Sequence, residues 1–251
     1  MSVPVILLAH GSPDPRAAVA THALAARVQE RIGARVVAAF IHHSEPDVTG
    51  AAQQLAAEGE TVALVIPAFL SRAFHVRVDV PRAVADAREA SGIDLGISPP
   101  LGLEPEWRAA IEPQLPDGPL VLATAGTSSA SAQKDLIDYA AGWSKQRGAE
   151  VLVAYASQAQ PDVPTAIADL EQRTQGSVSV ASLVLFDGLL PDRIREAAGE
   201  RPCSLPLDRS AGLEEVIVRR YRECGLAEPT QKGPPCHECS NSCNRREVEK
   251  N

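Results

Sequence analysis

Apolar positions along the first half of the chain fall into two alternating rhythms. Short runs rich in β-branched and other apolar residues read as buried strands at Val3 to Ala9, Arg35 to Ile41, Val62 to Leu70 and Leu95 to Ser98. Between the first two, Ala20, Leu24, Val28 and Ile32 recur every four residues and form one apolar helical stripe. Further helices are expected to start near Pro46 and Pro81, where proline's fixed φ suits a first turn, and another to run from Glu104 to Leu115. Strands alternating with crossover-length helices predict a parallel sheet of the α/β class.

The pattern is written twice. A shift of 115 residues lays Val5-Ile6-Leu7 on Leu120-Val121-Leu122, Gly11-Ser12 on Gly126-Thr127, Val37 to Phe40 on Leu152 to Tyr155, and Pro46-Asp47-Val48 on Pro161-Asp162-Val163, without a gap. A constant offset linking a strand, a glycine turn, a second strand and a helix start indicates an internal duplication. Two similar α/β domains follow, over 1–116 and 119–225, joined at the turn-rich Pro116-Asp117-Gly118-Pro119. A third segment, 226–251, carries Cys236, Cys239 and Cys243.

Composition narrows the function classes. The 251 residues are 45% hydrophobic and 22% charged, ordinary for a globular chain with a real core. A net charge of −8 argues against a general nucleic-acid binder. The longest strongly apolar stretch, Val62 to Leu70, is broken by Pro67 and far too short for a bilayer span, and Met1-Ser2-Val3-Pro4 lacks a basic signal-peptide start. These features predict a cytoplasmic protein with no membrane association; a monomer is the expectation, though no sequence feature argues for it.

The chemistry concentrates in histidine. Of six, at positions 10, 22, 42, 43, 75 and 237, none lies in the second repeat: His10 becomes Ala125, His42 becomes Ser157, and His75 falls near Leu190 or Pro191. Ligands of parallel α/β sheets bind at the carboxyl ends of strands, and His10, His42, His43 and His75 all sit at or just after such ends. In an extended segment His42 and His43 point to opposite faces, so only one is expected to face the cleft. His22 falls off its helical stripe and is expected in solvent. Asp79, four residues after His75, can support that imidazole or cap the helix entering at Pro81. Arg72 and Arg77 flank His75 and, with Ser12, are candidates to bind acidic groups of a ligand.

Leu8-Ala9-His10-Gly11-Ser12, Ala39-Phe40-Ile41-His42-His43-Ser44-Glu45-Pro46 and His75-Val76-Arg77-Val78-Asp79-Val80-Pro81 together resemble the three motifs of the sirohydrochlorin chelatase family, the class II tetrapyrrole chelatases. The resemblance is strongest over roughly the first 110 residues, and the second repeat looks like the degenerate partner domain of two-domain members. It implies two Rossmann-like domains facing each other over a cleft, and insertion of Fe²⁺ or Co²⁺ into sirohydrochlorin without a nucleotide or any other required cofactor. It further implies that His10 and His75 form the active-site pair. His42 stands where family members commonly have a glutamate, a change that keeps a metal ligand and proton acceptor but removes a negative charge. Glu45 is a weaker metal-ligand candidate, matching a family position of mainly structural character. Neutral imidazole suits the reaction, because its unperturbed pKa of ~6.5 and its affinity for first-row metals serve both proton removal and ion delivery near neutral pH.

The readings left open are iron insertion for siroheme, cobalt insertion for cobalamin, and a metal-binding or delivery protein without turnover. Cys236-x-x-Cys239-x-x-x-Cys243, with His237 beside the first thiol, supplies ligands for Zn²⁺ or an iron–sulfur cluster, or is a tail with free thiols. Cys224 is a candidate fourth ligand, and Cys203 is expected in a core strand.

Overall fold

A computed structural model describes residues 2–71 and 78–225. The elements follow in the order β1 (Val5–Ala9), α1 (Pro15–Ile32), β2 (Val36–Phe40), α2 (Val48–Ala57), β3 (Val62–Pro67), α3 (Val80–Ser91), β4 (Asp94–Ile97) and α4 (Pro105–Ile111). They continue with β5 (Leu120–Thr124), α5 (Ala130–Arg147), β6 (Val151–Tyr155), α6 (Val163–Thr174), β7 (Ser179–Ser182), α7 (Leu189–Ala198) and α8 (Ala211–Gly225). Two parallel sheets result, β2-β1-β3-β4 and β6-β5-β7.

The elements are shorter than the apolar runs for reasons visible in the sequence. The first strand starts at Val5 because Pro4 has no N–H for the ladder, and β3 stops at Pro67, after which the Phe69 amide turns back to the Pro67 carbonyl. Asp47 caps α2 by accepting from the Gly50 amide at 2.7 Å, so that helix begins at Val48, just after the expected proline. Pro113 ends the run from Glu104 as a short 3₁₀ turn at Glu112–Gln114. In α1 the buried positions are Thr21, Leu24, Ala25 and Val28, while Ala20 and Ile32 are half-buried. His22 is exposed, as expected, with its ring against Phe40.

The duplication holds at the level of register. Val5 pairs with Val36 and Leu64 as Leu120, 115 residues later, pairs with Val151 and Ser179. The repeats part at the far edge. Where the first sheet adds β4, the second has a single bridge between Val180 and Cys203, so Cys203 is an edge residue, half-buried, and not part of a core strand. Burial pushes its thiol pKa up.

One face of the first sheet is covered by α2 and α3, and the matching face of the second by α6 and α7. The other two faces share a single core containing α1, α4, α5 and α8. Its final helices are exchanged. α8, the last helix among the described residues, packs on β3 and α1 of the first half, and Arg220 donates to the Pro100 and Leu101 carbonyls there. In return α4 and the turn after it lie on α5: Tyr139 Oη donates to the Glu104 carbonyl at 3.0 Å, Arg108 stacks 4.7 Å over the Tyr139 ring, and Trp143 Nε1 donates to Glu112. Burial raises the Tyr139 hydroxyl pKa to about 12. Among the described residues no helix is long and apolar enough to cross a membrane.

Candidate functional site

In the first sheet the strand order reverses between β1 and β3, and the loop leaving β1 opens at that crevice. His10 is the first residue of the loop and is exposed. Its Nδ1 lies 3.1 Å from the Gly11 carbonyl oxygen. In the tautomer that donates this hydrogen bond, the lone pair resides on Nε2, the form suited to holding an ion or accepting a proton.

His42 comes to it from the end of β2. Ladder pairing continues past the strands, with the Ile41 amide donating to the Ala9 carbonyl at 3.1 Å and the His42 amide to the His10 carbonyl at 2.9 Å. The two imidazole centroids stand 5.3 Å apart, edge to face. Metal–nitrogen bonds of about 2.1 Å allow two rings this close to share one ion. His43 has φ +63°, a left-handed residue in a tight turn. The extended alternation expected for the pair therefore does not apply. The turn carries the His43 ring 6.0 Å from that of His42 and makes His42 the partner of His10.

Other candidates hold the loops. Ser12 Oγ accepts from the Asp14 amide at 3.1 Å, and its carbonyl accepts from Ser44 Oγ at 3.4 Å. Glu45 Oε2 accepts from the Asp47 amide at 3.2 Å, in keeping with a structural place in the turn. Asp79 occupies the residue before α3, yet makes no capping hydrogen bond. Its φ and ψ of −72° and −40° are helical, whereas a capping side chain needs an extended backbone to reach the first free amides. His75, Arg72 and Arg77, and the tail's Cys236, His237, Cys239 and Cys243, lie outside the described residues. Among the described residues no group of three or more His, Cys, Asp or Glu side chains could hold a metal.

Two features beside the site had no signal in the sequence. Arg16, in the first turn of α1, binds Asp14 at 2.6 Å and reaches across to Asp192 of α7 at 2.5 Å, joining the halves next to the His10 loop. These contacts hold the Asp14 and Asp192 carboxyls below the usual carboxylate range. A groove of about 830 Å³ runs between α1 and the second half, lined among others by Arg16, Val19, Arg27 and Asp208, and contains none of the predicted site residues. Asp208 is buried, its Oδ1 has no hydrogen-bond partner, and burial pushes its carboxyl pKa up.

A doubled parallel α/β chain with imidazoles at the rim of only one sheet has the fold of the class II chelatases. A family model for CbiX matches residues 4–117 and again 119–224. The chain belongs to the CbiX family, the sirohydrochlorin chelatase family that its histidine motifs resemble. The sirohydrochlorin cobaltochelatase of Methanopyrus kandleri is 30% identical over 106 residues, 42% of this chain and 62% of that relative, so the match spans less than two thirds of the relative's length. SirB from Bacillus subtilis with Fe³⁺ superposes with a TM-score of 0.75 at 18% identity, over 90% of this chain and 96% of that one. SirB from Bacillus subtilis subspecies spizizenii in complex with cobalt gives 0.74 at 19%, over the same shares. CbiX, the terminal enzyme for siroheme biosynthesis in denitrifying bacteria, gives 0.65 at 23%, over 88% and 98%. At these identities the structural likeness speaks for the fold. The family-model matches end at residue 224, before the tail cysteines.

Proposed function

We propose that this chain is a metal chelatase that inserts a divalent ion into sirohydrochlorin, with Fe²⁺ the first expectation and Co²⁺ the alternative. The observation that carries the reading is the pairing of His10 and His42, 5.3 Å apart at the strand-order reversal, in a chain of the CbiX family. The similar structures with Fe³⁺ and with cobalt bound support a transition-metal ion as substrate and leave the choice between iron and cobalt open.

Insertion exchanges two protons for one ion. Two pyrrolic N–H bonds break, the ion gains bonds to the macrocycle nitrogens, and no electron changes hands. His10 and His42 hold the partly dehydrated ion, and imidazole accepts the departing protons and passes them to water. His75, which the resemblance pairs with His10, is assigned to the same work. Arg72, Arg77 and Ser12 are the proposed contacts for the substrate's carboxylates, Ser12 through the hydroxyl that also accepts from Asp14.

The test mixes purified protein anaerobically with sirohydrochlorin and either Fe²⁺ or Co²⁺. The metallated absorption spectrum is expected to appear faster than the spontaneous rate, with many turnovers per protein molecule. Stoichiometric binding of both ions, with insertion unchanged or slowed, would replace the chelatase reading by that of a metal-delivery protein.

A further inference from the structure

The two loops that bring His10 and His42 together touch at a glycine. A side-chain carbon on Gly11 would stand 1.7 Å from the His42 carbonyl oxygen and 2.9 Å from its carbonyl carbon. Gly11 also has φ +83°, so both space and backbone conformation exclude a side chain there. The second loop hangs on the first, through the His42 amide on the His10 carbonyl and the Ser44 hydroxyl on the Ser12 carbonyl. The spacing of the rings is thus inherited from the spacing of two backbones. We infer that Gly11 is a positioning residue for metal capture: by admitting the His42 carbonyl it sets the separation at which the His10 and His42 imidazoles reach one divalent ion. The inference deepens the chelatase reading and rests on it for the identity of the ion.

The molecule carries its own control. Gly126, 115 residues on, has φ +106°, and a side-chain carbon there would stand 1.8 Å from the Ser157 carbonyl oxygen. The glycine contact is repeated, but the positions of His10 and His42 are held by Ala125 and Ser157, and the Ala125 carbonyl accepts from Ser157 Oγ instead of from a backbone amide. An alanine costs both rims the same kind of backbone adjustment, because each carbonyl must retreat from under 2 Å to at least 3.0 Å. Only in the first half does that retreat move two imidazoles.

The decisive measurement compares Gly11→Ala with Gly126→Ala in the full chain, by titration with Co²⁺ alone and by insertion turnover, with His42→Ala setting the background. A displacement of about 1 Å in a reacting group can cost ~100-fold in rate. Gly11→Ala is expected to weaken Co²⁺ binding at least ~10-fold and lower turnover ~100-fold, while Gly126→Ala holds both within about twofold. Both variants are expected to melt at similarly lowered temperatures. Ser44→Ala covers the case in which Gly11→Ala does not fold. It removes only the hydroxyl tie, which the second repeat lacks at Ala159, and is expected to weaken Co²⁺ binding about threefold with the melting temperature unchanged.

Equal losses in the two glycine variants would overturn the inference, as would unchanged Co²⁺ affinity in Ser44→Ala and in folded Gly11→Ala. Wild-type protein that captures Co²⁺ through this pair but never inserts it would instead sink the chelatase reading and leave the positioning role standing.

Discussion

At the carboxyl end of the first sheet the His42 carbonyl rests against Gly11 and two imidazoles stand 5.3 Å apart. At the same place in the second sheet the Ser157 carbonyl rests against Gly126, Gln158 repeats the left-handed turn of His43 with φ +60°, and Asp162 caps α6 as Asp47 caps α2. One ladder bond past the strands corresponds too, the Ala156 amide donating to the Thr124 carbonyl as the Ile41 amide does to that of Ala9. The difference lies in the side chains and in one ladder bond: the His10 carbonyl accepts from the His42 amide, whereas the Ala125 carbonyl accepts from Ser157 Oγ at 2.7 Å. The glycine contact, the left-handed turn and the helix cap at this rim therefore persist with different side chains mounted on them. A site can be lost by substitution while its mount persists, because the mount is fixed by strand pairing and by glycine.

The sharpest way to break the comparison is to strip the first rim. His10→Ala is expected to lower insertion turnover at least ~100-fold with little change in melting temperature, since His10 is exposed beyond the strand end. Ser157→Ala is expected to leave turnover within about twofold, the small cost of one loop hydrogen bond. Equal losses would mean that the second rim takes part in the chemistry.

A smaller effect is expected at position 42. His42→Glu keeps a donor beside His10 and adds a negative charge, so insertion should persist with an altered ranking of Fe²⁺, Co²⁺ and Ni²⁺, whereas His42→Ala should slow all three. Identical rates and ranking in both variants would return the role to His43.

The smallest effect concerns the junction between the halves. Burial raises the Asp208 carboxyl above its ordinary value, so the folded state holds this proton more tightly than the unfolded state does. Stability is then lost as pH rises from the unfolded value through the raised folded one, and the charged form is a liability at neutral pH. Asp208→Asn is expected to raise the melting temperature by about 2 °C at pH 7 and to change it little below pH ~3.5. A gain of equal size at both pH values would assign the effect to packing instead.

Much of this was legible in the chain. The apolar runs specified the strands, and the offset of 115 residues linked Gly11 to Gly126 and Pro46 to Pro161. The strand-end rule gathered His10 and His42 before any distance was known, because a parallel sheet gives neighbouring loops no other place to go. Alternation left the choice between His42 and His43 open and only the resemblance favoured His42, since the geometry depends on a left-handed backbone at a histidine, where composition gives no hint. Nor was the Arg16 bridge, whose Asp192 partner lies 176 residues away in sequence, or the contact of Arg220 with Leu101, 119 residues apart. Pairings so distant leave no periodicity to read.

The exchange of α4 and α8 bears on why a half without histidines is kept at all. Leu213, Val216 and Ile217 of α8 are fully buried, in the core that also closes over β3. The genetic message for the first half is thus incomplete at the 116–119 connector, and its closing helix is encoded more than ninety residues downstream. A deletion that discarded the repeat without histidines would also strip the closing helix from the repeat that carries them, and a protease cut in the connector would leave two fragments clasped by each other's helices. With the closing helices placed in this way the two halves are locked together: side chains at either rim can be exchanged, but neither half can be removed without uncovering the core of the other.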